Sequence, residues 1–154
     1  MMRCAIAVCF VVVVASFGEA RQPRPVKPPP RYAIDADLDT YSQATPKDAL
    51  RSVLKAIDAQ RNDYLLAHLA DPDFVDQRIR ELGGRFENLL RVTAENLADD
   101  PESIRDLRRF VSEGVWEESG GTASVKHKDI QGRQAFFRKI DNRWFLENRR
   151  RPAK

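Results

Sequence analysis

Residues 135–146 read Ala135-Phe136-Phe137-Arg138-Lys139-Ile140-Asp141-Asn142-Arg143-Trp144-Phe145-Leu146. Asp141-Asn142, set between two runs rich in aromatic and branched residues, predicts a tight hairpin that joins a strand over 133–140 to one over 143–148. Along the first strand Phe136 and Ile140 point one way, and Ala135 and Phe137 the other. On the second, Trp144 and Leu146 face opposite to Phe145. A sheet covered on one side only would keep its other side polar. Here both sides carry aromatic rings, so a curled sheet, a ligand cavity or a dimer interface has to cover the second. Phe137 and Phe145 are read as a cross-strand pair with Ala135 nearby. Helices of the same chain or a second copy of it, giving a homodimer through the sheet face, would bury such a patch.

Working back from the hairpin, the same alternation continues. Val115-Trp116-Glu117 reads as a short strand, Gly120-Gly121 as a turn, and Thr122 to Lys128 as a strand with Ala123, Val125 and His127 on one side. Before residue 115 the period changes to helical. Thr45-Pro46-Lys47-Asp48 caps and starts a helix that carries Leu50, Val53, Leu54 and Ile57 to about Gln60. Asn62-Asp63 starts a shorter helix with Leu65, Leu66 and Leu69, and Asp71-Pro72-Asp73 a turn or a new helix with Phe74, Val75 and Ile79. Phe86, Leu89, Leu90 and Leu97 mark a further helix. Asp100-Pro101-Glu102 opens the last one, with Ile104, Leu107, Phe110 and Val111 on one face and Gly114 as its stop. Helices first and a meander of about four strands last predict an α+β fold, with N-terminal helices packed on a C-terminal antiparallel curved sheet.

This order, with the opening helix Pro46-Lys47-Asp48-Ala49-Leu50 to Ile57, the step Asn62-Asp63-Tyr64 and the closing hairpin with its Asp141 turn and Arg143-Trp144, resembles the nuclear transport factor 2-like superfamily, in particular its uncharacterised secreted bacterial members. The likeness spans residues 45–148, although the helical part here is longer than is usual in that superfamily. It implies a cone-shaped α+β domain. Members include isomerases, dehydratases, scaffolds and domains of unknown role, so the fold does not choose among them. The isomerases use aspartate and tyrosine inside the cavity, which singles out Asp63 and Tyr64 on this chain.

The ends of the chain carry a separate message. Met1-Met2-Arg3, an apolar stretch from Cys4 to Phe17 and Gly18-Glu19-Ala20 have the basic start, apolar run and small residues of a secretory signal peptide over 1–20. A run of this length is short for a membrane span, which needs about 20 apolar residues, so no transmembrane segment is expected in the mature chain. The address implied is secreted, periplasmic or cell-envelope. Cleavage removes both cysteines, Cys4 and Cys9, and with them any disulfide, thiolate nucleophile or cysteine metal site. Residues 21–44 are a proline-rich linker, RQPRPVKPPPR, and a polar lead-in, followed by a single domain over 45–148 and a basic tail over 149–154. Residues 32–146 hold 17 basic and 21 acidic side chains, so the positive net charge belongs to the flanks. That distribution argues against nucleic-acid binding, which wants a basic face on the folded domain.

Little in the chain signals chemistry. Asp35, Asp37 and Asp39 alternate as in a calcium loop, but Thr40 and Pro46 stand where an EF-hand has its sixth-position glycine and twelfth-position glutamate. There is no glycine-rich phosphate loop and no Gly-x-Ser-x-Gly elbow, and no cofactor is expected. His68 and Asp71 could share a helix face, yet a metal needs a third protein ligand. His127 is the candidate general base if a cavity lies on its side of the sheet, with the Asp63/Tyr64 pair as the other catalytic candidates. The reading is an exported small binding or scaffold domain, non-catalytic, of unknown ligand; the alternative is a cavity enzyme of isomerase or dehydratase type. Mass spectrometry of the exported protein is expected to find Arg21 as the first residue. A product that retains 1–20 would refute the signal-peptide reading.

Overall fold

The computed structural model describes residues 27–148; the signal peptide read over 1–20, the start of the linker and the tail over 149–154 lie outside them. Five helices precede four strands: α1 (Pro46–Asp58), α2 (Asn62–Tyr64), α3 (Pro72–Glu81), α4 (Phe86–Asp99), α5 (Pro101–Glu113), β1 (Val115–Ser119), β2 (Thr122–Lys126), β3 (Ala135–Ile140) and β4 (Arg143–Glu147). The strands form one open antiparallel sheet in the order β1-β2-β3-β4, and the fold is α+β. Among the described residues, no helix is long and apolar enough to cross a membrane.

The helix starts follow from their caps. The Thr45 hydroxyl accepts the Asp48 N–H at 3.1 Å, an N-cap bond, and donates to the Asp48 carboxylate at 2.7 Å. Asp71 accepts the N–H groups of Asp73 and Phe74, and Asp100 that of Ser103, each with proline at the first helical position. Between α2 and α3 the chain widens into a π-turn over Leu65–Leu69, closed by the Ala70 N–H on the Leu65 carbonyl at 2.8 Å. All five of its residues are buried. At the other junction, Gly114 joins α5 to β1. A side chain there would put its Cβ 2.4 Å from both the Phe110 carbonyl oxygen and Val125 Cγ2, so only glycine lets the helix end lie against β2.

The core lies between the helices and one face of the sheet. Leu50, Val53 and Ala56 of α1 and Phe110 of α5 pack with Ala123, Val125, Ala135, Phe137 and Trp144. The two-residue turn fixes which side chains share that face. Asp141 and Asn142 adopt positive φ, 47° and 61°, as a type I′ hairpin requires. The register then pairs Phe137 with Leu146, Lys139 with Trp144 and Arg138 with Phe145. This corrects the expected Phe137–Phe145 patch. The two rings lie on opposite faces and both are buried within the chain, at 0% and 3% exposure, so neither is left to carry a homodimer through the sheet. Phe145 is flanked by arginines. Arg143 holds its guanidinium 5.0 Å from the ring centroid, and Arg138, opposite on β3, reaches past β4 to Asp71 and Asp73. The alkyl stems of such residues can cover an apolar surface that no helix covers.

Residues 32–44, read as a polar lead-in, are packed against the domain together with Arg31, the last residue of the linker. Arg31 and Ile34 close a tight turn whose central residues, Tyr32 and Ala33, both have positive φ. The Tyr32 ring stacks on Phe86 of α4 at 4.3 Å, and Arg31 and Tyr32 both bond Asp76 of α3. Further along, Tyr41 stacks on Tyr64 at 4.2 Å. Gln43 then meets the outer edge of β4: its carbonyl accepts the Trp144 N–H at 3.0 Å and its side-chain amide donates to the Trp144 carbonyl at 2.8 Å. The Asp71 N–H takes the Leu146 carbonyl at 2.9 Å on the same edge. An edge strand that would otherwise present free N–H and C=O groups is thereby closed.

Trp144 is 2% exposed and sits where the sheet, α1 and the lead-in meet. Trp144→Ala is expected to lower stability by about 3–5 kcal/mol, measured by urea or thermal denaturation of the purified chain. An unchanged midpoint would place the ring outside the core.

Candidate functional site

Two adjoining clefts open where the helices meet the sheet. The larger, about 700 Å³, lies between α5 and the β2–β3 connection, and its wall includes Leu107, Phe110, Val115, His127, Ile130 and Phe136. The second, about 520 Å³, lies between α4, α5 and the neighbouring ends of β3 and β4, with Leu66, Leu89, Val92, Leu97 and Leu146 in its wall. Ser103, Leu107, Gln134 and Phe136 line both, so the two are one groove divided at the start of β3. Its origin is in the sequence: α5 turns its Leu107 and Phe110 side inward, while the β2–β3 connection stands off the sheet through the Ile130 N–H bond to His127 at 3.1 Å. An ion pair between Arg133 and Asp106 at 2.9 Å ties that connection to α5 across the groove.

His127 stands in the groove wall, on the side of the sheet its alternation predicts, and is 4% exposed. Its Nδ1 accepts the Asp129 N–H at 3.1 Å and its Nε2 lies 3.1 Å from the Glu113 carboxylate. An Nδ1 that accepts a main-chain N–H carries no proton, so Nε2–H is the donor to Glu113. Both nitrogens are engaged within the chain. The ring joins the end of α5 to the loop after β2.

The other candidates lie away from the groove and apart from one another. The Tyr64 hydroxyl accepts the Asp37 N–H at 2.9 Å and donates to the Asp37 carbonyl at 3.2 Å, and burial raises its pKa. Asp63 holds Arg61 in a two-point pair at 2.8 and 3.0 Å, and the guanidinium beside it keeps the carboxyl below its usual range. The two side chains therefore do not converge as an acid–base pair. His68 donates through Nε2 to the Ile34 carbonyl at 2.8 Å, while Asp71 caps α3 and pairs with Arg138 at 2.8 Å, so the two are not joint ligands. Asp37 accepts the Thr40 N–H at 3.0 Å in a local turn. Among the described residues, no group of three or more His, Cys, Asp or Glu side chains could hold a metal ion.

Ser103 and Gln134, which line both halves of the groove, were not singled out by sequence. Both sit at polar positions beside element ends, and only the approach of α5 to β3 gives them a shared place. No family model, curated protein or solved structure matches the chain.

His68 makes the stability of this region pH-dependent. Burial, the first cause, holds its pKa below the ordinary imidazole value, and the nearby Arg143 and Arg31 charges lower it further. The unfolded chain takes up a proton near pH 6.5 while the folded chain resists it, so His68 favours folding fully above about pH 6.5 and that contribution falls as the pH drops. His68→Gln can keep the N–H donor and removes the titration. Thermal midpoints between pH 7.5 and pH 5 should fall less in the variant; parallel profiles would show that His68 does not set the dependence.

Proposed function

We propose that the protein is an exported, non-catalytic binding domain that takes a small, largely apolar molecule into the groove between α5 and β3. The carrying observation is the groove itself, two adjoining spaces with mainly apolar walls joined at Leu107 and Phe136. Their volumes fall in the range of about 300–1,000 Å³ typical of small-molecule sites. Export rests on the N-terminal pattern over 1–20, and the likeness to nuclear transport factor 2-like domains, whose cavity lies between helices and sheet, supports the same reading. The cavity-enzyme alternative draws on the place of His127 in the wall, but a general base needs a nitrogen free to take a proton from the substrate. Both His127 nitrogens are engaged by Glu113 and Asp129.

The anionic dye 8-anilinonaphthalene-1-sulfonate tests this. The native domain is expected to bind it at one site. Gln134→Trp, an exposed position on the wall shared by both halves, should weaken binding about tenfold, or ~1.4 kcal/mol, while the circular dichroism stays native. Phe136→Ala should weaken it as well. Dye binding that neither substitution changes would exclude the groove as the site.

A further inference from the structure

The two edges of the sheet are treated differently. At β4 the Trp144 and Leu146 main-chain groups are taken up by Gln43 and Asp71. At β1, among the described residues, no main-chain hydrogen bond is made on the outer side. Gly120-Gly121 makes a two-residue turn with φ of 55° and 83°, which sets Ser119 opposite Thr122 as the first hydrogen-bonded pair. Bonded pairs alternate along an antiparallel ladder, so Glu117–Ser124 and Val115–Lys126 bond inward, and the N–H and C=O groups of Trp116 and Glu118 point away from the sheet.

The side chains around that edge have a definite character. Glu113, Glu117 and Glu118 are all exposed, with Glu117 held by Lys126 at 2.5 Å and Glu113 by His127. Val115, at 56% exposure, is the large apolar residue most open to solvent among the described residues. Trp116, on the inner side, is fixed against Phe137 with ring centroids 5.7 Å apart, so the strand is anchored to the core from behind. Proline and bulges, two common devices that blunt an edge, do not occur in this strand.

We propose that β1 is a docking edge for an extended, basic segment of a partner protein, which adds to the sheet as a fifth strand. Trp116 and Glu118 supply the main-chain bonds, Val115 an apolar contact, and Glu117 and Glu118 opposite-charge contacts to lysine or arginine side chains. Charge complementarity selects this occupant. A second copy of β1 laid antiparallel about Glu117 would face glutamate with glutamate, an arrangement that destabilises a pair. The acidic edge thus discourages self-pairing and leaves the strand open to a segment of opposite sign. This surface shares Val115 with the groove wall, but Trp116, Glu117 and Glu118 lie outside both halves of the groove, and the strand pairing does not rest on what the groove binds.

The test uses a short synthetic peptide that repeats Lys-Lys-Val-Val, which places a lysine and a valine on each face of the added strand, with hydrogen exchange followed by NMR on the folded protein. In the free protein the Trp116 and Glu118 amides should exchange fast. With the peptide they should be protected, and the same peptide N-methylated along its pairing edge should give no protection. The double variant Glu117→Lys with Glu118→Lys, at two exposed positions, should bind the valine–lysine peptide about tenfold more weakly and should take up a valine–glutamate peptide instead. Absence of binding, protection at residues other than β1, or binding that survives N-methylation would each overturn the proposal, the last by showing charge attraction without strand pairing.

Discussion

The bond pair between Gln43 and Trp144 holds the architecture together. A single glutamine uses its carbonyl and its side-chain amide to meet both main-chain groups of one strand residue, and so does the work of a neighbouring strand without supplying one. With that edge closed, Trp144 is fixed on the inner face beside Phe137 and against α1. The lead-in is drawn over α1, where Ser52 donates to the Ser42 carbonyl and Lys55 to that of Thr40. Tyr41 and Tyr64 then stack, and the Tyr64 hydroxyl clasps the Asp37 backbone. A buried main-chain carbonyl left without a donor costs about 1–3 kcal/mol, so each of these contacts depends on the others staying in place.

The polar residues that look most like chemistry in the sequence serve as joints. His127 links α5 to the loop after β2, His68 links the π-turn to Ile34, and Asp71 at once caps α3 and pairs with Arg138 across β4. Asp63 and Tyr64, neighbours in the chain, point to different partners. A domain without disulfides among its described residues has to fix its helices on the sheet with packing and polar ties alone, and a buried polar group that bonds two elements both satisfies itself and sets their relative position. The groove keeps a wall whose area is largely apolar.

Much of the fold was legible because it is written locally. Thr45-Pro46, Asp71-Pro72 and Asp100-Pro101 are caps followed by proline, and Gly120-Gly121 and Asp141-Asn142 are two-residue turns; the structure starts and turns the chain at each. The sharing of faces was legible too, but was misread. A two-residue turn at 141–142 obliges Phe137 to meet Leu146, and setting it against Phe145 is a slip of one residue, which moves a side chain to the other face. The π-turn over 65–69 had no signal, since an extra residue in a helical turn leaves the apolar spacing of Leu65, Leu66 and Leu69 looking ordinary. Gln43 and the groove were invisible for a different reason. Their meaning lies in elements far away in sequence, and a glutamine before a capping threonine looks like any polar loop residue.

That same distance has a temporal side. Gln43 and Trp144 are 101 positions apart, so on a ribosome, which releases the chain from its N-terminus, the lead-in emerges long before the strand it must close. The helices and the hairpins consist mostly of near neighbours and can form as they appear, while closure of the ring of contacts waits for the last strand. Until residue 144 is free, α1 lacks the tryptophan that its inner surface packs against, and the nascent domain is held short of its final state by the order of its own elements. A polypeptide arranged in this way can complete this set of contacts only after residue 144 has emerged.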